Sequence, residues 1–464
     1  MTKASHILVG LGLMLAASQV FGQNFTVLHN FTNSPDGRHP EAGLFLSGNM
    51  LYGTTYDGGL FGNGTIFKIN TDGSDYTVLY NFSAFGLFST NGDGANPLGT
   101  LVLGGDTLYG TTAQGGYGTR VDEGGPCGTV FSITTNGTGF TILKFISGSQ
   151  PYPHAGLVLS SNTLYGTTYG AGNSFGTAFA INTNGTGFTN LNSFGGKRPQ
   201  ASLILGSNTL YGTAWGSGSY DYGSVFAINT DGMGFTNLIQ FRGPFATNGG
   251  QAAADLVLKG NTLYGTCASF GGPGGLGGGT VFKINTDGAG FTILKTFVNS
   301  GNAPDGSAPV AGLVLSGSTL YGTTKWGGSG GKGTVFRVDT DGTGYSVLKN
   351  FTSNDGANPL ADLVLDGNKL YGTTQLGGNS GFGVVFSLTL PPPSLQITNA
   401  GNLPIIFWVD DAQNHILQIT TDLTAGSWSS ISELNWTNNS NGTLQIGYQI
   451  VNPIVSPAAF FRLQ

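Results

Sequence analysis

Few side chains in this chain fall into a pattern that does chemistry. There is no nucleophile elbow, no phosphate-cradling loop between a strand and a helix, and no metal-spaced histidine pair. The histidines stand at positions 6, 29, 39, 154 and 415 and never cluster. Asp122, Glu123 and Asp221 fall in loops that face one way, so they are the candidates for paired acids of glycoside cleavage; their separation is not legible in sequence. The more suggestive residues are aromatic. Tyr56, Tyr169, Trp215 and Trp326 each stand just after a Leu-Tyr-Gly-Thr motif, at the start of a Gly-rich loop. Exposed rings around a pocket stack on the apolar face of a pyranose while flanking polar groups orient it. The competing expectation is that these rings pack the loops against their neighbours.

Asp-Gly-x-x-Pro recurs at Asp36, Asp93, Asp305 and Asp355. A hard cation needs several oxygens converging, whereas one aspartate per loop before a proline reads as an Asx-type turn. Asn70 to Gly73 and Asn285 to Gly288 echo the start of a calcium loop without its remaining ligands or closing glutamate, and read as hairpin turns. Cys127 and Cys267 belong to different repeats and read as isolated thiols.

These residues are spaced by a repeat. Leu-Tyr-Gly-Thr occurs with its tyrosine at Tyr52, Tyr109, Tyr165, Tyr211, Tyr264, Tyr321 and Tyr371. A Gly-Thr-Val-Phe-like segment follows each, ending at Phe67, Phe131, Phe179, Phe226, Phe282, Phe336 and Phe386. A period near fifty residues with several short strands is a propeller pattern. In the sixth copy the expected strands are 311–315, 319–324, 333–338 and 345–351, rich in β-branched and aromatic residues. Glycine inside the second strand implies that another backbone approaches closely there, as inner strands do near a propeller axis. The third-strand phenylalanine is expected between neighbouring blades.

A third element, Phe-Thr-x-Leu, begins at Phe25, Tyr76, Phe140, Phe188, Phe235, Phe291 and Tyr345. Its first copy precedes the first Leu-Tyr-Gly-Thr, and none follows the last. The orphan strand at Phe25–Phe31 therefore supplies the fourth strand of the last repeat. This phase predicts an all-β chain: a seven-bladed β-propeller of four-stranded blades over 24–390, closed by the N-terminal strand, which removes the free sheet edges. Pro391-Pro392-Pro393 is a stiff linker, and 394–464, with fewer glycines and alternating apolar patterns, reads as a small β-sandwich.

Composition limits the partners. With 81 glycines and no strict triplet the chain is not collagen-like. Basic residues are few and scattered, the net charge is -6, and no nucleic-acid footprint exists. Residues 1–22 read as a secretory signal, with Lys3 before an apolar stretch too short to span a bilayer; no transmembrane segment is expected in the mature chain.

The text Leu-Tyr-Gly-Thr-Thr followed by Gly-Thr-Val-Phe-Lys-Ile-Asn-Thr-Asp-Gly resembles the GloVer-type tandem repeat over about 25–388. That resemblance implies an exported bacterial protein of the choice-of-anchor kind and carries no catalytic residues. The tail, with Leu417-Gln418-Ile419-Thr420-Thr421-Asp422-Leu423, Trp428 and a terminal Phe-Phe-Arg-Leu, resembles a β-rich C-terminal module of exported proteins, without the Pro-Glu-Pro anchor. The expected function is a non-enzymatic, exported repeat scaffold for cell-surface or extracellular interactions, in the extracellular space, at the surface or in the periplasm, with glycans or surface proteins as partners and no cofactor. The alternative is a carbohydrate-binding propeller using Tyr56, Tyr169, Trp215 and Trp326. A polysaccharide-active enzyme is the distant third.

Overall fold

In a computed structural model of the chain, residues 24–390 are described apart from 87–90, 117–126, 147–151, 171–175, 196, 217–221, 244–247, 272–276 and 299–302; beyond them, backbone strands are described within 396–463. The expected signal (1–22), the proline linker and the acids Asp122, Glu123 and Asp221 lie outside the described residues.

The chain forms seven four-stranded antiparallel blades, a seven-bladed β-propeller. The first blade is typical: Phe45–Ser47, Met50–Thr55, Thr65–Asn70 and Thr77–Asn81. The last blade has only three strands of its own, Val364–Asp366, Lys369–Thr374 and Val384–Thr389. Phe25–Asn30 adds the fourth, antiparallel, with Phe25 opposite Leu388 and Asn30 opposite Val384.

The closing strand reproduces the other six in detail. Each fourth strand carries a bulge at the leucine of Phe-Thr-x-Leu, which drops out of the ladder; Leu28 does so against the last blade as Leu79 does in the first. The bulge turns that leucine onto the next blade's hairpin turn. Leu28 meets Gly73 and Leu79 meets Gly137, both glycines at positive φ, where a side chain would be strained and would strike the leucine's backbone. The Phe-Thr-x-Leu ring stacks on its own blade's third-strand phenylalanine, Phe131 with Phe140 at 5.4 Å and Phe386 with Phe25 at 5.4 Å.

Seven apolar clusters form the core, each shared by two successive blades. Third-strand phenylalanines are fully buried there and meet the apolar residue that ends the previous blade's fourth-strand segment, a phenylalanine in every case but Ile146 beside Phe179: Phe82 with Phe131 at 5.7 Å and Phe31 with Phe67 at 5.4 Å. Each such ring contributes about 1.5–3 kcal/mol of burial. The cluster of Phe31, Tyr371 and Val385 with Leu44, Leu51 and Phe67 joins the last blade to the first.

Two expectations need correction. The second-strand glycine is required by a ring, not by a neighbouring backbone: a Cβ at Gly53 would lie 2.5 Å from Phe67 Cζ and 2.9 Å from Leu44 Cδ2, and all seven copies repeat this crossing. The first strand is also shorter than its apolar run. In the sixth blade it is Val314–Ser316, so Ala311, Gly312 and Leu313 precede it, following Val310, which lines the axial cavity.

The C-terminal strands form two antiparallel sheets. One is four-stranded, from Gln396–Ala400, Leu403–Val409, Leu444–Gln449 and Asn435–Asn438; the other is three-stranded, from Ser429–Ser430, Leu417–Thr420 and Phe460–Leu463.

Candidate functional site: the axial funnel

The motif threonines show how little of the repeat is spare. The first threonine of Leu-Tyr-Gly-Thr donates to an alanine carbonyl of the next blade's axial segment: Thr111 to Ala155 at 2.9 Å, Thr167 to Ala201, Thr213 to Ala254, Thr266 to Ala311, and, across the closure, Thr373 to Ala42. Thr54 and Thr323, their counterparts, have buried hydroxyls without a partner. The residue after that threonine pairs with the first residue of the third strand, as Thr55 with Thr65 at 2.9 Å. Where it is Ala214, the hydroxyl of Ser224 opposite is left unsatisfied; where it is Cys267, the thiol and the Thr280 hydroxyl face each other instead. Burial pushes the Cys267 thiol up to about 12, so it is inert at neutral pH; neither it nor Cys127 is in a disulfide.

The axial segments line a central cavity of about 110 Å³. Two rings of equivalent positions face it. The outer ring is Glu41, Leu98, His154, Gln200, Ala253, Val310 and Leu360; the inner, two residues on, is Gly43, Thr100, Gly156, Ser202, Asp255 and Asp362, with Gly312 packed against the two aspartates at the remaining position. In the inner ring, side chains cap backbone N–H groups of the preceding blade. Gly156 N–H donates to Ser202 Oγ, Ser202 N–H to Asp255 at 2.6 Å, and Gly312 N–H to Asp362 at 2.5 Å. Asp255 and Asp362 are hydrogen-bonded to each other, and burial raises both carboxyls. Asp362 stands well above the ordinary range because the charge of Asp255 adds to its burial, so the pair shares a proton.

The outer ring meets the loops that begin after the second strand. Gln375 Nε2 donates to Glu41 at 2.8 Å, and His154 stacks on Tyr169 at 4.8 Å. Burial raises the Glu41 carboxyl and lowers His154 to about 4, leaving that imidazole neutral at neutral pH. The second-to-third loops and the blade-to-blade loops open on one face, as expected, and are tied together there. Tyr56 N–H donates to His39 O, Ala113 N–H to Asn96 O, Lys325 N–H to Ala308 O, and Gln375 N–H to Asn358 O. Each acceptor precedes the proline of Asp-Gly-x-x-Pro and has a positive φ, a strained conformation held by these bonds.

The Asp-Gly-x-x-Pro carboxylates turn toward their own blades. Asp36 accepts from Thr32 and His29, Asp93 from Ser83 and Tyr80, Asp355 from Thr352 and Lys349, and Asp305 pairs with Lys295. They cap turns and share no common point. Among the described residues no group of three or more His, Cys, Asp or Glu converges as a metal site would require. The hairpin aspartates likewise accept from the backbone two residues on, as Asp341 from Thr343 and Asp287 from Ala289.

The four aromatics expected around a pocket share this face but differ in exposure. Tyr56, Tyr169 and Trp215 are half-buried, and Trp326 is 43% exposed. Tyr169 is covered by Arg198, whose Nη1 donates to its hydroxyl at 3.2 Å and whose guanidinium sits 5.2 Å from its ring; Trp215 pairs through its backbone with the same arginine. Glu41, His154, Asp255 and Asp362 escape a motif search. A signal for the aspartates exists: they interrupt Ala-Gly-Leu-like triplets as Ala254-Asp255-Leu256 and Ala361-Asp362-Leu363. The hydrogen-bonded pair leaves no space for a glycosidic bond, which needs about 5 Å or more between carboxyls.

Comparison with known proteins agrees with the repeat. Residues 16–125, 117–304 and 274–400 match the Gloeobacter/Verrucomicrobia repeat. No curated protein matches the sequence. Among solved structures, an oligogalacturonate lyase in complex with manganese aligns with a TM-score of 0.51 at 12% identity, over 80% of this chain and 94% of that one. An oligogalacturonate lyase from Vibrio parahaemolyticus aligns with a TM-score of 0.52 at 10% identity, over 81% and 95%. At such identity the likeness is one of fold alone. The chain belongs to the Gloeobacter/Verrucomicrobia repeat family.

Proposed function

From membership of that repeat family, we propose that the chain is an exported, non-enzymatic scaffold that engages extracellular or cell-surface partners through the loop face around its axial funnel. One observation carries this reading. The repeated residues are consumed by the ring itself: tyrosine, phenylalanine and leucine in the seven shared clusters, glycine under a ring, threonine in bonds between blades and strands. What differs from blade to blade faces the axis and the loop face. The apolar n-terminal stretch 1–22 supports export, and no helix among the described residues is long and apolar enough to cross a membrane. Glycans and surface proteins are the partner classes that suit such a face.

A carbohydrate-binding version is favoured by Trp326, a large aromatic ring exposed on the loop face. The cavity is smaller than pockets that enclose a whole ligand, about 300 Å³ or more, so contact on the rim is the mode it suits. A glycan array probed with the full chain tests this version. Binding that falls on Trp326→Ala supports it; an array with no signal removes it and leaves a protein-directed scaffold. Turnover of a polysaccharide by the purified chain would overturn the non-enzymatic reading.

A further inference from the structure

We infer that the loop face between the third and fourth blades holds a subsite for the carboxylate of a uronate in an acidic polysaccharide, gripped by the Arg198 guanidinium and the Tyr169 hydroxyl. This rests on the carbohydrate-binding reading above and uses blades other than that of Trp326. Three Asp-Gly-x-x-Pro aspartates meet a basic side chain of the strand just before them, Asp36 with His29, Asp305 with Lys295 and Asp355 with Lys349. The loop entering the fourth blade reads Gly195-Gly196-Lys197-Arg198-Pro199, without the aspartate and with two cations. Arg38 and His39 fill the same two positions in the loop entering the first blade, and both meet Asp57, at 2.8 and 2.9 Å. Where the first blade has Asp57 the fourth has Gly216. The chain thus supplies a carboxylate to one loop and withholds it from the other.

Arg198 is fixed in place. Its backbone N–H and C=O pair with those of Trp215, each at 3.0 Å. Its Nη1 donates to Tyr169 Oη at 3.2 Å, with the guanidinium 5.2 Å from the ring. Among the described residues it pairs with no carboxylate; Asp221, the one acid in the sequence of these loops, lies outside the described residues. An arginine presents five N–H donors and no acceptor, so most of this fork is left to give. Tyr169 Oη accepts one bond and has no acceptor for its own hydrogen among the described residues. Two donors therefore stand side by side with a positive charge behind them, which is what a two-oxygen carboxylate takes.

The groups beside them favour a sugar. The Tyr169 ring stacks on His154 at 4.8 Å, and His154 lines the axial cavity together with Gln200, two residues after Arg198. With His154 and Arg198 against its ring, Tyr169 acts through its hydroxyl and offers no stacking platform. His154 is uncharged at neutral pH, and neither its side chain nor that of Gln200 is hydrogen-bonded among the described residues. An imidazole and an amide each both give and take a hydrogen bond. A uronate carries hydroxyls near its carboxylate and can meet them. An aspartate or glutamate of a protein partner carries only methylenes there and would leave them unmet.

The test is titration of the full chain with oligogalacturonate and alginate oligosaccharides, with cello-oligosaccharides as the neutral arm and poly-glutamate as the protein-like arm. The expected result is binding of at least one uronate series, weakened by salt and about tenfold or more weaker in Arg198→Gln. Tyr169→Phe keeps the ring against the guanidinium and should weaken binding severalfold at an unchanged melting temperature; it stands in if Arg198→Gln fails to fold. Arg38→Gln, whose charge is already met by Asp57, should bind as the wild type. Uronate binding that survives Tyr169→Phe and a folded Arg198→Gln overturns the subsite. Binding of cello-oligosaccharides alone also overturns it and leaves the carbohydrate reading standing. Tighter binding of poly-glutamate than of any uronate overturns the glycan assignment. Absence of binding to these sugars and to the array removes the subsite and the carbohydrate reading together.

Discussion

The seven blade interfaces are near copies of one another, and the seven faces of the axial funnel are not. At the interfaces a tyrosine, a glycine under a phenylalanine and a bulged leucine recur, even where the propeller's last blade meets its first. Along the axis the equivalent positions run through Glu41, Leu98, His154, Gln200, Ala253, Val310 and Leu360. An interface must fit its neighbour, so its residues are tied to the repeat. The axial positions border a cavity instead of a neighbouring blade and are free to differ. Identity between blades marks architecture, and divergence marks where recognition can be written.

The comparison breaks most visibly if the closing strand is dispensable. Removing residues 24–32 strips Leu28 and the fully buried Phe31 from the interface of the last and first blades, strips Phe25 from that of the sixth and seventh, and exposes a sheet edge. The expected loss is more than about 3 kcal/mol, the cost of truncating one buried phenylalanine, with amide exchange rising first over Val384–Leu388. Equal stability by chemical denaturation would show that the ring does not depend on closure. Next comes Gly372→Ala, which puts a Cβ 2.7 Å from both Phe386 Cζ and Leu363 Cδ2; over-packing of this kind costs about 1–3 kcal/mol.

A smaller effect sharpens the comparison within the repeat itself. Thr266→Val removes a bond to Ala311 and should cost about 1 kcal/mol, whereas Thr323→Val removes an unpartnered hydroxyl and should be neutral or stabilising. Equal losses from the two, measured by thermal melts, would deny the threonine its role between blades.

The architecture was open to sequence reasoning because it is repetitive. Seven copies of Leu-Tyr-Gly-Thr gave the blade count, and the orphan Phe25–Phe31 gave the closure. The reason for the second-strand glycine was misread, since a ring crossing from the adjacent strand leaves no mark that separates it from a close backbone. The funnel was mostly hidden. Its residues come from seven segments about fifty positions apart, each contributing one side chain, and convergence on an axis is a property of the closed ring. Trp326 was legible as an aromatic of the loop face, where it is exposed. Asp255 and Asp362 were visible only as interruptions of a glycine position.

The smallest expected effect is one of slope. Asp362 holds its proton more tightly folded than unfolded, so the stability it contributes is present below the ordinary carboxyl pKa and is lost as pH rises through its raised folded value. Asp362→Asn keeps the bond to Asp255 without titrating. Its melting temperature should fall less than the wild type's as pH is raised from about 4, and parallel profiles would place the proton elsewhere.

The most direct test of the division between interface and loop face is to read melting temperature and retention on a glycan picked out by the array side by side for Gly372→Ala and Trp326→Ala. The expected result is a crossed pattern: the glycine variant melts lower and still binds while folded, and the tryptophan variant melts as the wild type and binds weakly. A tryptophan variant that melts lower and binds as before would contradict it, placing that ring among the packing residues.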